Sequence, residues 1–275
     1  MADIPVQSVR KALDLLNVLA FDDVARQGVA LTELARRMGM KPNSAHNLLK
    51  TLAACGYAAQ TEDGRYVAGP SLRAVGLFNS LTSAAASRAV SAAVAGLVSR
   101  LREYAVFAAL VNGQRVVLGA LNADQSIAVN HAALQKAILW STPTGRVLAA
   151  FASAGELQSV LERNGQPGEA WAEAQKNMER ELEAIRRHGA CVVDDPRKDI
   201  VAFAVPVLVP GTRCGSPPTA GSQRVPAAGR LLGSLGCYAP RYRCPKASFK
   251  EKLAALQGAA ETLARELDAA GVAPA

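Results

Sequence analysis

The stretch "LTELARRMGMKPNSAHNLLKTLAACGYAAQTEDGRYVAG", residues 31–69, decides how the chain begins to fold. Within it Ala45, Leu48, Leu49, Leu52 and Ala53 recur at the three- and four-residue spacing of a buried helical stripe. The other face carries Asn43, Ser44, His46, Asn47, Lys50 and Thr51, a row of short hydrogen-bonding side chains with one lysine. Pro42 suits the first turn, where its missing N–H costs nothing, and Gly56 suits the exit. Ahead of this helix, "LTELARRMGM" predicts a shorter one, capped by Thr32, with Glu33 at the positive end of the dipole and Gly39 as its stop. Leu34, Ala35 and Met38 would pack. Behind it, "YAAQTEDGRYVAG" predicts two short strands about an Asp63-Gly64 turn. Further upstream, Ser8 as N-cap with Val9, Ala12, Leu13, Leu16 and Leu19 on one face predicts a helix running to about Ala20. Three short helices followed by a hairpin is the order of a winged helix-turn-helix.

The whole chain has 275 residues, half of them hydrophobic, which is enough for two ordinary domains with real cores. Its formal charge of +8 favours polyanionic partners such as nucleic acid. Cys55, Cys191, Cys214, Cys237 and Cys244 are odd in number and contain no CxxC pair. Neither a disulfide framework nor a zinc ribbon follows, and reduced thiols in a cytoplasm are expected. The N-terminus lacks the pattern of a cleaved signal, and no run of about 18 apolar residues appears, so no membrane partner is expected. Nor is there a HExxH, GxSxG, P-loop or dinucleotide fingerprint. His46, His131 and His188 are poorly placed to activate a cysteine nucleophile. The expectation is a protein that is not an enzyme, with no catalytic residue, metal or cofactor.

Downstream of Pro70 the chain is alanine-rich and helical to about Arg102, read as a linker helix and then the first helix of a second domain. "AVFAALVNG" and "QRVVLGALN" predict a strand pair about Asn112-Gly113, and "STPTGRVLAAFASAG" a helix entered through Ser-Thr-Pro. "QKNMERELEAIRRHG" predicts an amphipathic helix on Met178, Leu182 and Ile185. "ACVVDD", "IVAFAVPVLV" and "LLGSLGCYAP" then predict strands, and "SFKEKLAALQGAAETLARELDAAG" a closing helix. Between two of those strands, residues 210–229 have the glycine, proline and serine content of a long loop. It could serve as a lid or a partner-binding loop, or be a tolerated surface insertion.

Taken in order, "SVRKALDLLNVLA", "LTELARRMGM", "LLKTLAACGYAAQTEDGRYVAG", "STPTGRVLAAF", "LEAIRRHGACVVDD", "FAVPVLV" and "SLGCYAPRYR" resemble the IclR-type bacterial transcription regulators over nearly the whole chain. The resemblance implies an α+β architecture in three parts. These are a winged helix-turn-helix DNA-binding domain at 1–70, a dimerising linker helix at 71–86, and a GAF-like effector-binding domain at 87–275 with its loop insertion near 210–229. It further implies a homodimer or homotetramer on an inverted-repeat operator in double-stranded DNA, controlled by a small organic-acid or aromatic effector, in the regulation of catabolic genes.

A recognition helix of this kind presents its N-terminal residues to base edges in the major groove. Asn43, Ser44, His46 and Asn47 are then candidates for base contacts, and Arg36, Arg37, Lys50 and Arg65 for phosphate or minor-groove contacts. Asn47 stands where relatives commonly carry arginine. The family's effector sits over a sheet, with an anionic group at the start of the helix matching "STPTGRVL". That implies roles for the hydroxyls of Thr142 and Thr144 and for the N–H groups of Thr144 and Gly145. Asp194 or Asp195 matches an aspartate that closes the pocket. Ala202, Gly236 and Tyr238 stand where relatives place cysteine and serine, a change that favours a larger, flatter or more apolar effector. Plainer roles stand beside these: Thr142 as a helix cap, and Asp194 and Asp195 as caps of the turn before Pro196. Two rival functions also remain open, a winged helix used only for protein interaction, and a metal sensor built from Cys214, Cys237, Cys244 and His188.

Overall fold

In the computed structural model, residues 5–23, 27–125, 139–164, 171–209 and 229–272 are described. The expected loop at 210–229 lies outside them, apart from its last residue, as do His131 and Cys214. The chain divides into two compact units, 1–76 with the final residue and 77–274.

The first unit opens with α1 (Gln7–Asn17), which continues as a π-helical turn over Val18–Asp22. Ser8 lies inside the helix, and Val6 takes the N-cap position without a side-chain bond. The buried residues are Leu15, Leu16, Val18 and Leu19, whereas Val9 and Leu13 are 55% and 54% exposed. Of the expected stripe, Leu16 and Leu19 thus enter the core, whereas its N-terminal members Val9 and Leu13 do not. Then come α2 (Leu31–Arg37) and α3 (Pro42–Ala54). Thr32 does not cap α2; Ala30 holds that position. Gly39, at φ +57°, and Gly56, at φ +76°, make the exits of α2 and α3 in the left-handed region that glycine tolerates best. Strands β1 (Ala58–Gln60) and β2 (Tyr66–Ala68) pair antiparallel as the wing. Leu15, Val18, Leu19, Leu34, Leu49, Ala58 and Tyr66 form one core, so the three helices and the wing fold as a unit.

The division between the units falls within α4 (Pro70–Leu81). In the second unit α5 (Ala84–Leu101) starts at Ser83, whose hydroxyl accepts from the Ala86 N–H. A five-stranded antiparallel sheet follows, built from β3 (Tyr104–Val111), β4 (Gln114–Leu121), β5 (Cys191–Asp195), β6 (Ile200–Val209) and β7 (Arg230–Pro240). Its spatial order is β4-β3-β7-β6-β5. Asn112 and Gly113, both at positive φ, make the two-residue turn between β3 and β4. The remaining helices are α6 (Pro143–Phe151), α7 (Ala154–Asn164), α8 (Trp171–His188) and α9 (Phe249–Ala269).

Alternation along the strands gives the sheet two buried faces. Ala105, Phe107, Val201, Phe203, Leu235 and Cys237 share one apolar core with Val90, Val94 and Leu97 of α5 and Leu256 and Leu263 of α9. On the other face, Ala108, Leu110 and Ala204 pack with Val147 and Leu148 of α6 and Leu182 and Ile185 of α8. Near one end of that second face, Tyr104, Val106, Ala202 and Tyr238 form a separate small cluster.

Candidate DNA interface and effector site

Helix α3 is held by its apolar side and leaves its polar side open. Ala45 and Leu49 are fully buried, and Asn43, Ser44, Asn47 and Lys50 are exposed. Among the described residues, none of those four side chains makes a hydrogen bond or ion pair inside the protein. Lys41 holds the N-cap position and is also exposed, which adds a cation at the end of α3 that the sequence pattern did not single out. His46 is placed differently: its Nδ1 lies 3.2 Å from the hydroxyl of buried Tyr66, tying the ring to the wing.

The arginines expected at phosphates have internal partners. Arg36 donates to Glu33 from Nε and Nη2 at 2.9 and 2.8 Å, and Arg37 donates to Glu33 from Nε at 2.7 Å. Hydrogen bonds from Arg36 and then Arg37 hold the Glu33 carboxyl down to about 2, so it stays ionised at neutral pH. Arg65 donates from Nη1 to the Gly28 carbonyl at 3.0 Å, and its Nε lies 3.3 Å from Asp63. Their charge toward DNA is therefore partly cancelled in place. Lys41 and Lys50 carry the uncommitted positive charge of the α3 surface.

Cross-strand pairing sorts the expected effector residues. Ala202 lies opposite Tyr238, Tyr238 opposite Tyr104, and Val106 opposite Gly236, so these side chains share one face. Asp195 lies on that face too, opposite Ile200, but its carboxylate accepts from the Arg197 N–H at 3.0 Å and pairs with Lys198 at 3.6 Å. It therefore caps its own turn. Asp194 alternates to the opposite face, where Arg241 Nε lies 2.6 Å away. The two aspartates thus do not converge on Tyr238.

At the start of α6, Thr142 caps the helix and its Oγ1 accepts from the Gly145 N–H at 3.1 Å. Pro143 has no N–H to give. The Gly145 donor expected for an anion is thus already used. Gly145 has a packing role instead, since a Cβ there would stand 2.0 Å from the Leu139 carbonyl oxygen. Gly236 is likewise a packing position: a Cβ would lie 2.6 Å from Cγ2 of Thr144. Arg115 of β4, absent from the expected set, donates from Nε to Oγ1 of Thr144 at 2.8 Å. Burial pushes the Tyr238 hydroxyl up to about 12, partly opposed by the charge of Arg115 and by the Thr144 hydroxyl, so the phenol stays protonated.

Two of the thiols, Cys191 and Cys237, are held in their protonated form. Burial pushes Cys191 and Cys237 up to about 12, and among the described residues no group of three or more His, Cys, Asp and Glu side chains converges. Among the described residues, no single helix is long and apolar enough to cross a membrane.

Residues 8–62 match the IclR helix-turn-helix domain. The chain is 28% identical over 280 residues to the HTH-type transcriptional regulator BhcR of Paracoccus denitrificans, covering 98% of this chain and 88% of that protein. Among solved structures, an IclR-family regulator from Rhodococcus sp. superposes with a TM-score of 0.54 at 18% identity, covering 96% of this chain and 95% of the other. A transcriptional regulator from Rhodococcus sp. RHA1 gives 0.51 at 18% identity, covering 96% and 99%. These two show the shared fold. Residues 8–62 thus match the helix-turn-helix of the IclR regulators, and the chain as a whole is similar to transcriptional regulators.

Proposed function

We propose that the protein is a homodimeric, effector-controlled regulator that reads an inverted-repeat operator through α3. The observation that carries this reading is the open polar row of Asn43, Ser44, Asn47 and Lys50 on a helix whose other side is locked into the core. Asn43, Ser44 and Asn47 contact base edges, because short amides and hydroxyls can pair with bases in the major groove and asparagine can pair bidentately with adenine. Lys41 and Lys50 contact phosphates, fixing register without specifying sequence. Arg36, Arg37 and Arg65 join them only where DNA competes with their internal partners. His46 orients the wing through Tyr66 and reaches DNA, if at all, from that position.

Dimerisation is supported by the apolar side chains that α1 leaves in solvent, Val9 and Leu13, with Val6 just before it. Two copies side by side read half-sites about one helical turn, ~34 Å, apart. The effector is a small organic acid held on the sheet face of Tyr104, Val106, Ala202 and Tyr238, near Thr142 and Thr144. Its binding shifts the populations of operator-matching and mismatched arrangements by its differential affinity for the two. Catabolic genes are the expected targets. The test is selection of bound DNA by the full chain, then footprinting on the selected site with and without a panel of organic acids. A defined inverted repeat whose protection changes with one acid supports the reading. A flat, sequence-independent binding curve would instead support a protein-interaction module.

A further inference from the structure

His46 stands at the seam between the two sides of α3. It lies three residues before buried Leu49, yet three after Asn43 and four before Lys50 of the open row, so it neighbours both. The residue is exposed, but its Nδ1 is turned inward to the Tyr66 hydroxyl, 3.2 Å away. Among the described residues, neither side chain makes another hydrogen bond. Tyr66 itself is held from several directions. Its N–H donates to the Val29 carbonyl and its carbonyl accepts from the Val29 N–H, both at 2.9 Å, and across the wing it lies opposite Gln60. Its ring belongs to the core that it shares with Leu34 and Leu49. A hydroxyl fixed in this way fixes the imidazole bonded to it, whereas Asn43, Ser44 and Asn47 have no such anchor.

Which of the two atoms carries the shared proton follows from the partners each has. Tyr66 is only 3% exposed. If the imidazole donated from Nδ1, the phenolic O–H would have no acceptor among the described residues, and a buried donor without an acceptor is costly. If the phenol donates, its proton is used and Nδ1 is the acceptor. A neutral imidazole then carries its one hydrogen on Nε2, on the side of the ring turned away from Tyr66. That arrangement leaves no donor unmet, because water or DNA can accept from the exposed side.

Resting on the operator reading proposed above, we infer that Tyr66 locks His46 as a fixed hydrogen-bond donor and that His46 reads a guanine in each half-site. With Nδ1 occupied by the phenol, the Nε2–H group is what the operator meets. In the major groove guanine offers two neighbouring acceptors, N7 and O6, whereas cytosine presents an N4 donor that such a group rejects. Because the ring is placed before DNA arrives, binding orders it little further, and the contact discriminates without that entropic loss. Tyr66 is a positioning residue that acts through His46.

The test uses the full chain, nitrogen-labelled at its three histidines, together with DNA selected by the wild type. The His46 ring is assigned by its absence from the spectrum of His46→Ala. In mildly alkaline buffer, where imidazole is neutral, the free wild type shows this ring protonated at Nε2 and bare at Nδ1. Tyr66→Phe, which keeps the aromatic ring and removes only the hydroxyl, shows a mixture of the two tautomers. On the selected operator, His46→Ala lowers the preference for one guanine per half-site by about 3- to 10-fold, the worth of one neutral hydrogen bond. Tyr66→Phe relaxes the same position by a smaller factor and adds nothing when combined with His46→Ala. Replacing that guanine by 7-deazaguanine, which lacks the N7 acceptor, weakens binding of the wild type and leaves His46→Ala unaffected. Melting of each variant controls for folding. A wild-type ring protonated at Nδ1 overturns the lock. Base preferences that survive both His46→Ala and Tyr66→Phe, or an equal loss of affinity on operator and scrambled DNA, overturn the reading of guanine; preferences lost in Asn43→Ala and Asn47→Ala would then leave operator recognition standing. A wild-type pool without any motif overturns operator reading itself and this inference with it.

Discussion

The recognition helix and the sheet face below α6 handle their polar groups in opposite ways. On α3, Asn43, Ser44, Asn47 and Lys50 are exposed and make no internal side-chain bonds among the described residues, while the helix is anchored by apolar contacts and by His46 against the Tyr66 hydroxyl. On the sheet face, by contrast, Thr142 caps α6, Thr144 accepts from Arg115, and Gly145 and Gly236 have no room for a side chain. A surface that must read a large, hydrated polymer keeps its donors and acceptors in water until they are needed. The enclosed sheet face has most of its polar groups satisfied inside the protein.

The largest expected effects set tight packing in one unit against an open turn in the other. Gly145→Ala puts a methyl 2.0 Å from the Leu139 carbonyl oxygen, backbone that cannot yield cheaply. It should cost about 3 kcal/mol in denaturant unfolding of the second unit. Gly39→Ala meets nothing within 4 Å and strains only its φ of +57°, so it should cost about 1 kcal/mol. Equal costs would mean that the region around α6 relaxes far more easily than its spacing indicates.

Next come the two kinds of contact on α3. Asn43→Ala or Asn47→Ala should remove about 1 to 3 kcal/mol of discrimination at particular operator positions while leaving non-specific affinity nearly intact. Lys50→Ala should weaken binding on every sequence and lower the salt slope by about one unit. Titrations across salt on operator and scrambled DNA separate the two behaviours, and identical effects of all three substitutions would erase the division of roles.

A smaller effect is expected at the α2 arginines. Because Glu33 holds both Arg36 and Arg37, Arg36→Ala should weaken DNA binding by less than Lys50→Ala in the same salt titration. Glu33→Gln should do the reverse, strengthening non-specific binding by releasing the arginines. If Arg36→Ala proves the more damaging, DNA must displace Glu33 in the complex.

The smallest effect is in pH. The Glu33 carboxyl titrates at about 2 in the folded protein against an ordinary value of 4.5, because Arg36 and Arg37 bond its charged form. Its contribution is complete above 4.5 and disappears as pH falls through about 2. Since the group lies at the surface, where solvent screens its charge, Glu33→Gln should alter acid unfolding only slightly, and a change confined to neutral pH would contradict this assignment.

How much of this could be read from the sequence follows from how local each feature is. The order of helices and wing was legible because the apolar stripe of α3, Gly39, Gly56 and the Asp63-Gly64 turn each act within a few residues. The sheet strands were legible as apolar runs, and Asn112-Gly113 marked their first hairpin. Less legible was α1, where only the C-terminal part of the apolar stripe enters the core and Val9 and Leu13 stay in solvent. Least legible was the proposed effector face. Arg115 reaches it only because a bulge changes the alternation of β4, and Tyr104 and Tyr238 meet only because β3 and β7 are neighbours in the sheet. The cap role of Thr142 and the alternation of Asp194 and Asp195 were legible locally, whereas the pairing of Asp194 with Arg241, 47 residues away, was not. Periodicity reports which elements form. Long-range register decides which side chains share a site.

The most direct measurement is selection of bound DNA from a random pool by the full-length wild type, Asn43→Ala and Asn47→Ala proteins, each sequenced to the same depth. The wild type should enrich an inverted repeat with half-site centres about one helical turn, ~34 Å, apart. Each variant should lose preference at its own positions, symmetrically in both half-sites. A wild-type pool without a motif, or a motif that both substitutions leave unchanged, would contradict a protein that reads DNA through the polar row of α3.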